Sequence, residues 1–112
     1  MQCPEINGLT FDHSSISAIE EIRQKQKLGN ILATFAAGSV LVKIFVGREG
    51  LANPFGIGWK IDRYEWEAWS QAVMASNPLV RESIRYVAFD QIQNHSGKER
   101  QFWEAVMYGC GY

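Results

Sequence analysis

The chain has 112 residues and a mass of 12.7 kDa, which is the size of one domain, because two separate cores would each be marginal at this length. Its 46% hydrophobic and 21% charged residues are sufficient for a core and exclude intrinsic disorder. The 11 Lys and Arg against 12 Asp and Glu give a net charge of −1. This balance excludes the strong positive field of a dedicated nucleic-acid binder.

The number and positions of the cysteines indicate the redox environment of the protein. Cys3 and Cys110 stand near opposite ends of the chain, whereas small secreted domains carry several spaced cysteines. We therefore expect reduced thiols and a cytoplasmic protein, with a Cys3–Cys110 bridge as the alternative.

The chain start lacks the pattern of a signal peptide. The longest apolar run, residues 31–46, is shorter than the roughly 18–20 residues that cross a bilayer, so we expect core and no membrane association, with a membrane span as the alternative.

The first predicted element is a helix that begins near Ser15 and ends near Leu28. Ser17 and Glu20 have the spacing of a capping box, and Gly29 is a stop signal. The apolar positions repeat on one helical face at Ile16, Ile19 and Ile22. This narrow stripe predicts packing against another layer.

Small and β-branched residues follow and predict a β-hairpin. Gly38 and Ser39 separate two apolar runs with the spacing of a two-residue turn, which gives strands over residues 31–37 and 40–46. The first run also fits a helical period, so a helix ending at Gly38 is the alternative there. Residues 47–54 are rich in Gly, Asn and Pro and predict a loop, for which an anion-binding role is the less favoured interpretation because no helix follows.

A third short strand is predicted over residues 56–61, where the glycines either weaken the strand or permit close approach of another backbone. The predicted fold is therefore a single α+β domain over residues 1–112. It has a small antiparallel sheet of two or three strands that follows an N-terminal helix and is covered by three C-terminal helices.

The three C-terminal helices are predicted from their start and stop signals. Asp62 and Glu65 have the spacing of a capping box before an amphipathic run that ends at Asn77. Pro78 is a favourable first residue for the second helix, which ends before Asn94. The third helix repeats the capping-box spacing and ends at a glycine, with its signals at Ser96, Glu99 and Gly109.

Chemistry-bearing residues are few. An acid–base pair would form if the fold joined His13 or His95 to Asp12, Asp90 or Glu99, because imidazole titrates near working pH and a carboxylate orients it. Metal binding would need long-range convergence, because no HxxxH or HExxH pair is present. Exposed or capping histidines are the favoured interpretation. We assign no catalytic residue, no metal site and no cofactor.

The most informative cluster is aromatic. Tryptophans recurring at helical spacing are expected first in the core, namely Trp66, Trp69 and Trp103. Trp59, Tyr64, Glu65 and Trp69 are the candidate ligand- or partner-binding residues, because Trp and Tyr are favoured in interfaces. We therefore expect a non-catalytic binding or assembly domain that binds a protein partner or a second copy, most simply as a homodimer. The alternative is a small enzyme or ligand-binding protein in which an aromatic-lined pocket meets a His/carboxylate pair.

Overall fold

The computed structural model of the chain describes residues 3–25, 40–45, 58–75 and 78–109. The elements in these ranges are, in chain order, β1 (Ile6–Leu9), α1 (His13–Lys25), α2 (Val40–Phe45), β2 (Trp59–Ile61), α3 (Arg63–Ala75), α4 (Pro78–Asn94) and α5 (Gly97–Tyr108). The α+β class is confirmed: an N-terminal helix, a two-stranded antiparallel sheet and three C-terminal helices are present.

The sheet joins the start of the chain to the predicted third strand. Ile6 lies opposite Ile61 and Leu9 opposite Trp59, with an irregularity in the register between these pairs. Strand β1 was not predicted, because a four-residue strand containing a glycine has little local signal. The predicted close approach is confirmed at Gly58, where an added Cβ would lie 2.2 Å from a backbone atom of Gly8.

Residues 40–45 form helix α2, so the strand predicted over 40–46 is wrong in this part. Leu41, Ile44 and Phe45 are buried, at the i, i+3 and i+4 positions of one helical face. The helix is tied at both ends: the Glu65 carboxylate accepts the N–H of Leu41 at 3.1 Å, and Arg23 Nε donates to the carbonyl of Ile44 at 2.9 Å. The strand predicted over 31–37, the Gly38–Ser39 turn and the loop at 47–54 lie outside the described residues.

Helix α1 begins at His13, two residues before the predicted start. Its first turn is capped by Asp12, whose Oδ1 accepts the backbone N–H of Ser15 at 2.9 Å. The capping box predicted at Ser17 and Glu20 is therefore not the start of this helix. The predicted end near Leu28 lies outside the described residues.

The three C-terminal helices lie where their signals predicted them. Glu65 reaches back to the N–H of Asp62 at 3.1 Å, which is the acidic half of a capping box. Helix α5 ends at Gly109, whose φ of 55° is left-handed. Its start differs from the prediction, because Ser96 makes no side-chain capping bond.

The core lies between the helices and the sheet. Trp66, Trp69 and Trp103 are fully buried, so the expectation that they belong to the core is confirmed. Phe45 of α2 stacks on Trp69 with ring centroids 4.7 Å apart. The ring centroid of Phe102 in α5 lies 5.0 Å from that of Trp103 in the same helix and 5.8 Å from that of Trp66 in α3. Large apolar area buried in this way is the main favourable contribution to folding.

Cys3 is disulfide-bonded, in contrast to the expected reduced thiols; the only other cysteine in the sequence, Cys110, lies outside the described residues. Disulfides persist in oxidising compartments, so the main reason for expecting a cytoplasmic protein is removed. Within the described ranges, no helix has both the length and the apolar character needed to cross a bilayer.

Candidate functional site

Three titratable side chains from distant parts of the sequence meet beside the α4–α5 junction. Asp12 precedes α1, His95 lies in the junction, and Glu99 lies in the first turn of α5. His95 Nε2 is 2.8 Å from Asp12 Oδ2 and 3.3 Å from Glu99 Oε2. We call these three residues the His95 cluster. It exists because α1 packs on α4 while α5 turns back along α4, so that Asp12 is brought to the start of α5.

The protons of His95 follow from its partners. Nδ1 lies 2.7 Å from the carbonyl oxygen of Gln91, and a carbonyl only accepts, so Nδ1 carries a hydrogen. Nε2 faces two carboxylate oxygens and must also carry a hydrogen to bond with them. The metal-free geometry is therefore that of an imidazolium. Although burial lowers the pKa of His95, hydrogen bonds to Asp12 and to the Gln91 carbonyl, together with attraction by both carboxylates, raise the pKa above its usual value.

The opposite shift occurs at Asp12. The backbone N–H of Ser15 lowers the pKa of this carboxyl most strongly, and the hydrogen bond to His95 adds to the effect. Asp12 is also the open side of the cluster: its side chain is 52% exposed, against 5% for His95 and 20% for Glu99. The imidazole is thus reached from solvent past Asp12.

Ser15 connects the His95 cluster to the core. Its hydroxyl donates to Glu99 Oε2 at 2.6 Å and accepts the indole N–H of Trp103 at 3.0 Å. The hydroxyl has one hydrogen, and it donates this hydrogen to Glu99. The orientation of the Ser15 O–H bond is therefore fixed. Ser15 is fully buried, and each partner lies more than 80 positions away in the sequence.

This arrangement differs from a nucleophilic triad. In a Ser-His-Asp triad, the serine and the carboxylate bond to different imidazole nitrogens. Here Ser15 and Asp12 both face Nε2, while Nδ1 bonds to a backbone carbonyl. Ser15 is also inaccessible to solvent, and its hydroxyl already donates its hydrogen bond to Glu99. A serine nucleophile is therefore excluded at this position.

The cluster resolves part of the histidine question left open by the sequence. His95 joins Asp12 and Glu99, two of the three carboxylates named for such a pair. The expectation was an exposed or capping histidine: the ring of His95 is 5% exposed, but its bond to the Gln91 carbonyl in the last turn of α4 agrees with a capping role. His13 is exposed as expected. The signal available in the sequence was the i, i+4 spacing of His95 and Glu99, but nothing local indicated that Asp12 and Ser15 would meet them.

The four candidate binding residues have different surroundings. Trp69 is fully buried and its indole donates to the carbonyl of Val106 at 3.3 Å. Trp59 of β2 is half-buried against the core. Glu65 is also half-buried, and its carboxylate accepts backbone N–H groups at the starts of α2 and α3. Tyr64 alone is largely exposed, at 70%, and Arg63 lies over its ring. These residues do not present one common surface.

Within the described part of the chain, several exposed apolar side chains lie along α4. Three large side chains project there into solvent: Leu79, Tyr86 and Phe89 are 76%, 80% and 54% exposed. With Glu82 they repeat at helical spacing on one side, and we call these four residues the α4 face. Apolar patches of this kind on a folded domain mark interaction sites, and tyrosine is frequent at their centres.

The two flanks of the α4 face carry opposite charge. On the α1 side, a groove of about 520 Å³ is lined, among the described residues, by carboxylates and by polar and apolar groups: Glu21, Leu79, Glu82, Ser83, Tyr86, Val87 and Asp90. On the α5 side, the described residues that line a hollow of about 300 Å³ include one cation: Arg85, Tyr86, Phe89 and Met107. Arg81 and Arg85 line the next hollow in the same direction. Tyr86 forms the ridge between an acidic and a basic flank.

Comparison with protein-family models, with curated proteins and with solved structures gave no match. Function is therefore inferred from the residues of this chain.

Proposed function

We propose that this chain is a non-catalytic assembly domain that binds a second copy of itself through the α4 face. The observation that supports this most directly is the exposure of Tyr86, Leu79 and Phe89 on one side of a single helix. Removing such side chains from water is favourable at roughly 25 cal/mol per Å² of apolar area. A partner that covers the α4 face gains this energy.

A second copy is the partner that fits the charges. A two-fold axis parallel to α4 brings the flank on one side of the helix against the opposite flank of the other copy. The groove with Asp90 and Glu82 then meets the surface with Arg85 and Arg81 twice, around a central Tyr86 ridge. The intramolecular Glu82–Arg85 pair, at 3.6 Å and about two-thirds exposed, is weak enough to exchange partners, since surface pairs contribute little.

The alternative of an acid–base enzyme is less well supported. The His95–Asp12 pair exists, but its imidazole is 5% exposed, so the ring itself offers a substrate little surface beside the exposed Asp12 carboxylate. The concavities beside α4 have other linings, with neither His95 nor Asp12 among them. Assembly therefore stays the better-supported function, and no membrane or nucleic-acid partner is proposed.

Sedimentation velocity over a wide range of concentrations tests the proposal. We expect a monomer–dimer equilibrium that Tyr86→Ser shifts to monomer, while Tyr64→Ser, which removes another largely exposed tyrosine from α3, leaves it unchanged. Arg85→Glu should weaken the dimer, because it places like charges opposite one another. A strict monomer at the highest concentration, or equal effects of the two tyrosine variants, would overturn the assignment.

The cytoplasmic location stays a prediction, against which the disulfide at Cys3 counts. Labelling of free thiols in protein taken from its native cells separates the two cases. A labelled Cys3 supports a reducing compartment, and protection until a reductant is added supports an oxidising one.

A further inference from the structure

The His95 cluster has the donor set and spacing of a metal site, which is independent of the α4 face. Each of its three residues offers one ligand atom, and these atoms all lie within 4.8 Å of one another. Around tetrahedral Zn²⁺, ligands at 2.0–2.1 Å are separated by roughly 3.3 Å. The observed 2.8 and 3.3 Å from His95 Nε2 to the two carboxylates lie within about half an ångström of this separation.

Each of the three side chains also has a hydrogen-bond partner that positions it, as metal ligands do. His95 Nδ1 donates to the Gln91 carbonyl and Asp12 Oδ1 accepts the Ser15 N–H, in each case at an atom other than the proposed ligand atom. Glu99 accepts the Ser15 hydroxyl at Oε2, the oxygen that also faces His95. An imidazole that donates its other N–H to a backbone carbonyl is the usual arrangement of a ligating histidine. Here the imidazole side chain is 5% exposed, and its other nitrogen, Nε2, faces two carboxylate oxygens.

We propose that Asp12, His95 and Glu99 bind one divalent transition-metal ion, with Zn²⁺ as the best-fitting ion. The imidazole favours Zn²⁺ and its neighbours in the first transition row over Mg²⁺ and Ca²⁺, which take oxygen ligands almost exclusively. The ion replaces the hydrogen on His95 Nε2, and the two carboxylates balance its charge. A water on the exposed Asp12 side completes a four-coordinate shell.

The bound ion would connect three elements. Asp12 immediately precedes α1, His95 immediately follows α4 and Glu99 lies in the first turn of α5. An ion that binds only this folded arrangement stabilises it in proportion to its concentration. The proposed ion therefore fixes the packing of α1 against the α4–α5 pair.

Isothermal titration of chelator-treated protein with ZnCl₂, followed by the visible spectrum of the Co²⁺ complex, tests this. We expect one ion per chain, a tetrahedral Co²⁺ spectrum and a higher unfolding temperature with Zn²⁺. Glu99→Gln and Asp12→Asn should each weaken Zn²⁺ binding by about 100-fold, and Ser15→Ala by about 10-fold. Circular dichroism of each variant verifies that it is folded.

Two matched variants exclude adventitious binding. Asp62→Asn neutralises a carboxylate that precedes α3 as Asp12 precedes α1, and His13→Gln removes the exposed imidazole next to Asp12; both should bind Zn²⁺ like the unmodified chain. Each of four results would overturn the proposal: absence of stoichiometric binding, unchanged Zn²⁺ affinity in Glu99→Gln, loss of binding in His13→Gln, or equal affinity for Mg²⁺. If a variant unfolds, the nitrogen-15 chemical shift of His95 Nε2 in the unmodified protein decides the question. Adding Zn²⁺ should change this shift if Nε2 coordinates the ion and should leave the shifts of His13 unchanged.

Discussion

The indole of Trp103 donates its N–H to the hydroxyl of Ser15 at 3.0 Å, across 88 positions of sequence. Both groups are fully buried. The same hydroxyl donates to Glu99 at 2.6 Å. One small side chain at the start of α1 therefore satisfies a core tryptophan and orients a carboxylate of the His95 cluster.

Replacing Ser15 by Ala should destabilise the protein by about 1–3 kcal/mol, because the buried indole N–H of Trp103 loses its acceptor. Urea unfolding followed by tryptophan fluorescence measures the change. Ser17→Ala is the matched control: Ser17 is an exposed serine of the same helix, and its replacement should change the unfolding free energy by less than about 0.5 kcal/mol. Equal effects would show that the hydrogen bonds of Ser15 contribute nothing net.

Glu65 provides a second prediction, because one carboxylate serves two helix starts. It accepts the N–H of Leu41 in α2 and the N–H of Asp62 before α3, both at 3.1 Å. Glu65→Gln keeps the shape but replaces one acceptor oxygen by a donor, so we expect a loss of about 1–2 kcal/mol. Glu67 is an exposed carboxylate two residues further along α3. The same replacement there should be nearly neutral in the same unfolding experiment. A neutral result at Glu65 would contradict its capping role.

The elements that local signals predicted well are α3, α4 and α5. Asp62 and Glu65 form part of the expected capping interaction, Pro78 begins α4, and Gly109 ends α5. Such signals act within a few residues, so they are legible in the sequence. The same reason explains why the core tryptophans were identified from their spacing.

Helix α2 shows where a local pattern is ambiguous. Its residues are apolar except for Lys43 and could cover both faces of a strand, yet Leu41, Ile44 and Phe45 also share a helical face. Short apolar runs fit both periods, and tertiary contacts decide between them. In this case the contacts come from Glu65 and Arg23, which lie 24 and 21 positions from their partners.

Glu99 shows why the site was harder to predict than the fold. Its spacing from Ser96 is that of a capping box, but its carboxylate bonds instead with Ser15, 84 positions away. The pairing of His95 with Asp12 spans 83 positions. Spacing rules describe neighbours in one element, whereas these contacts depend on how α1 packs against the α4–α5 pair.

Gly58→Ala should destabilise the sheet. An added Cβ would lie 2.2 to 2.6 Å from three backbone atoms of Gly8, and backbone cannot rotate away as a side chain does. We expect a loss of about 1–3 kcal/mol, typical of overpacking, measured by urea unfolding. Lys60→Ala, at an exposed position of the same strand, is the control and should change stability by less than about 0.5 kcal/mol. A Gly58 variant as stable as the control would refute the close contact.

The stability of the metal-free protein should pass through a maximum as a function of pH. The folded state raises the pKa of His95, chiefly because hydrogen bonds and attraction outweigh burial, so the stabilisation from this residue is complete below its unfolded pKa of about 6.5. That stabilisation is lost as the pH rises through the higher folded pKa. The folded state lowers the pKa of Asp12 through the Ser15 N–H, so its contribution is complete above an unfolded pKa of about 3.9 and is lost as the pH falls through the folded pKa.

The variant His95→Gln separates the two limbs. It removes the titrating imidazole, so the loss of stability between neutral and mildly alkaline pH should become shallower, while the loss on the acid side persists through Asp12. Urea unfolding in chelator-containing buffers from acid to mildly alkaline pH measures both limbs, and the exposed His13→Gln is the matched control, with the profile of the unmodified chain. A neutral-to-alkaline slope that is the same in all three proteins would mean that the imidazolium of His95 does not stabilise the fold, because the coupling between protonation and folding requires that slope to change when the group is removed.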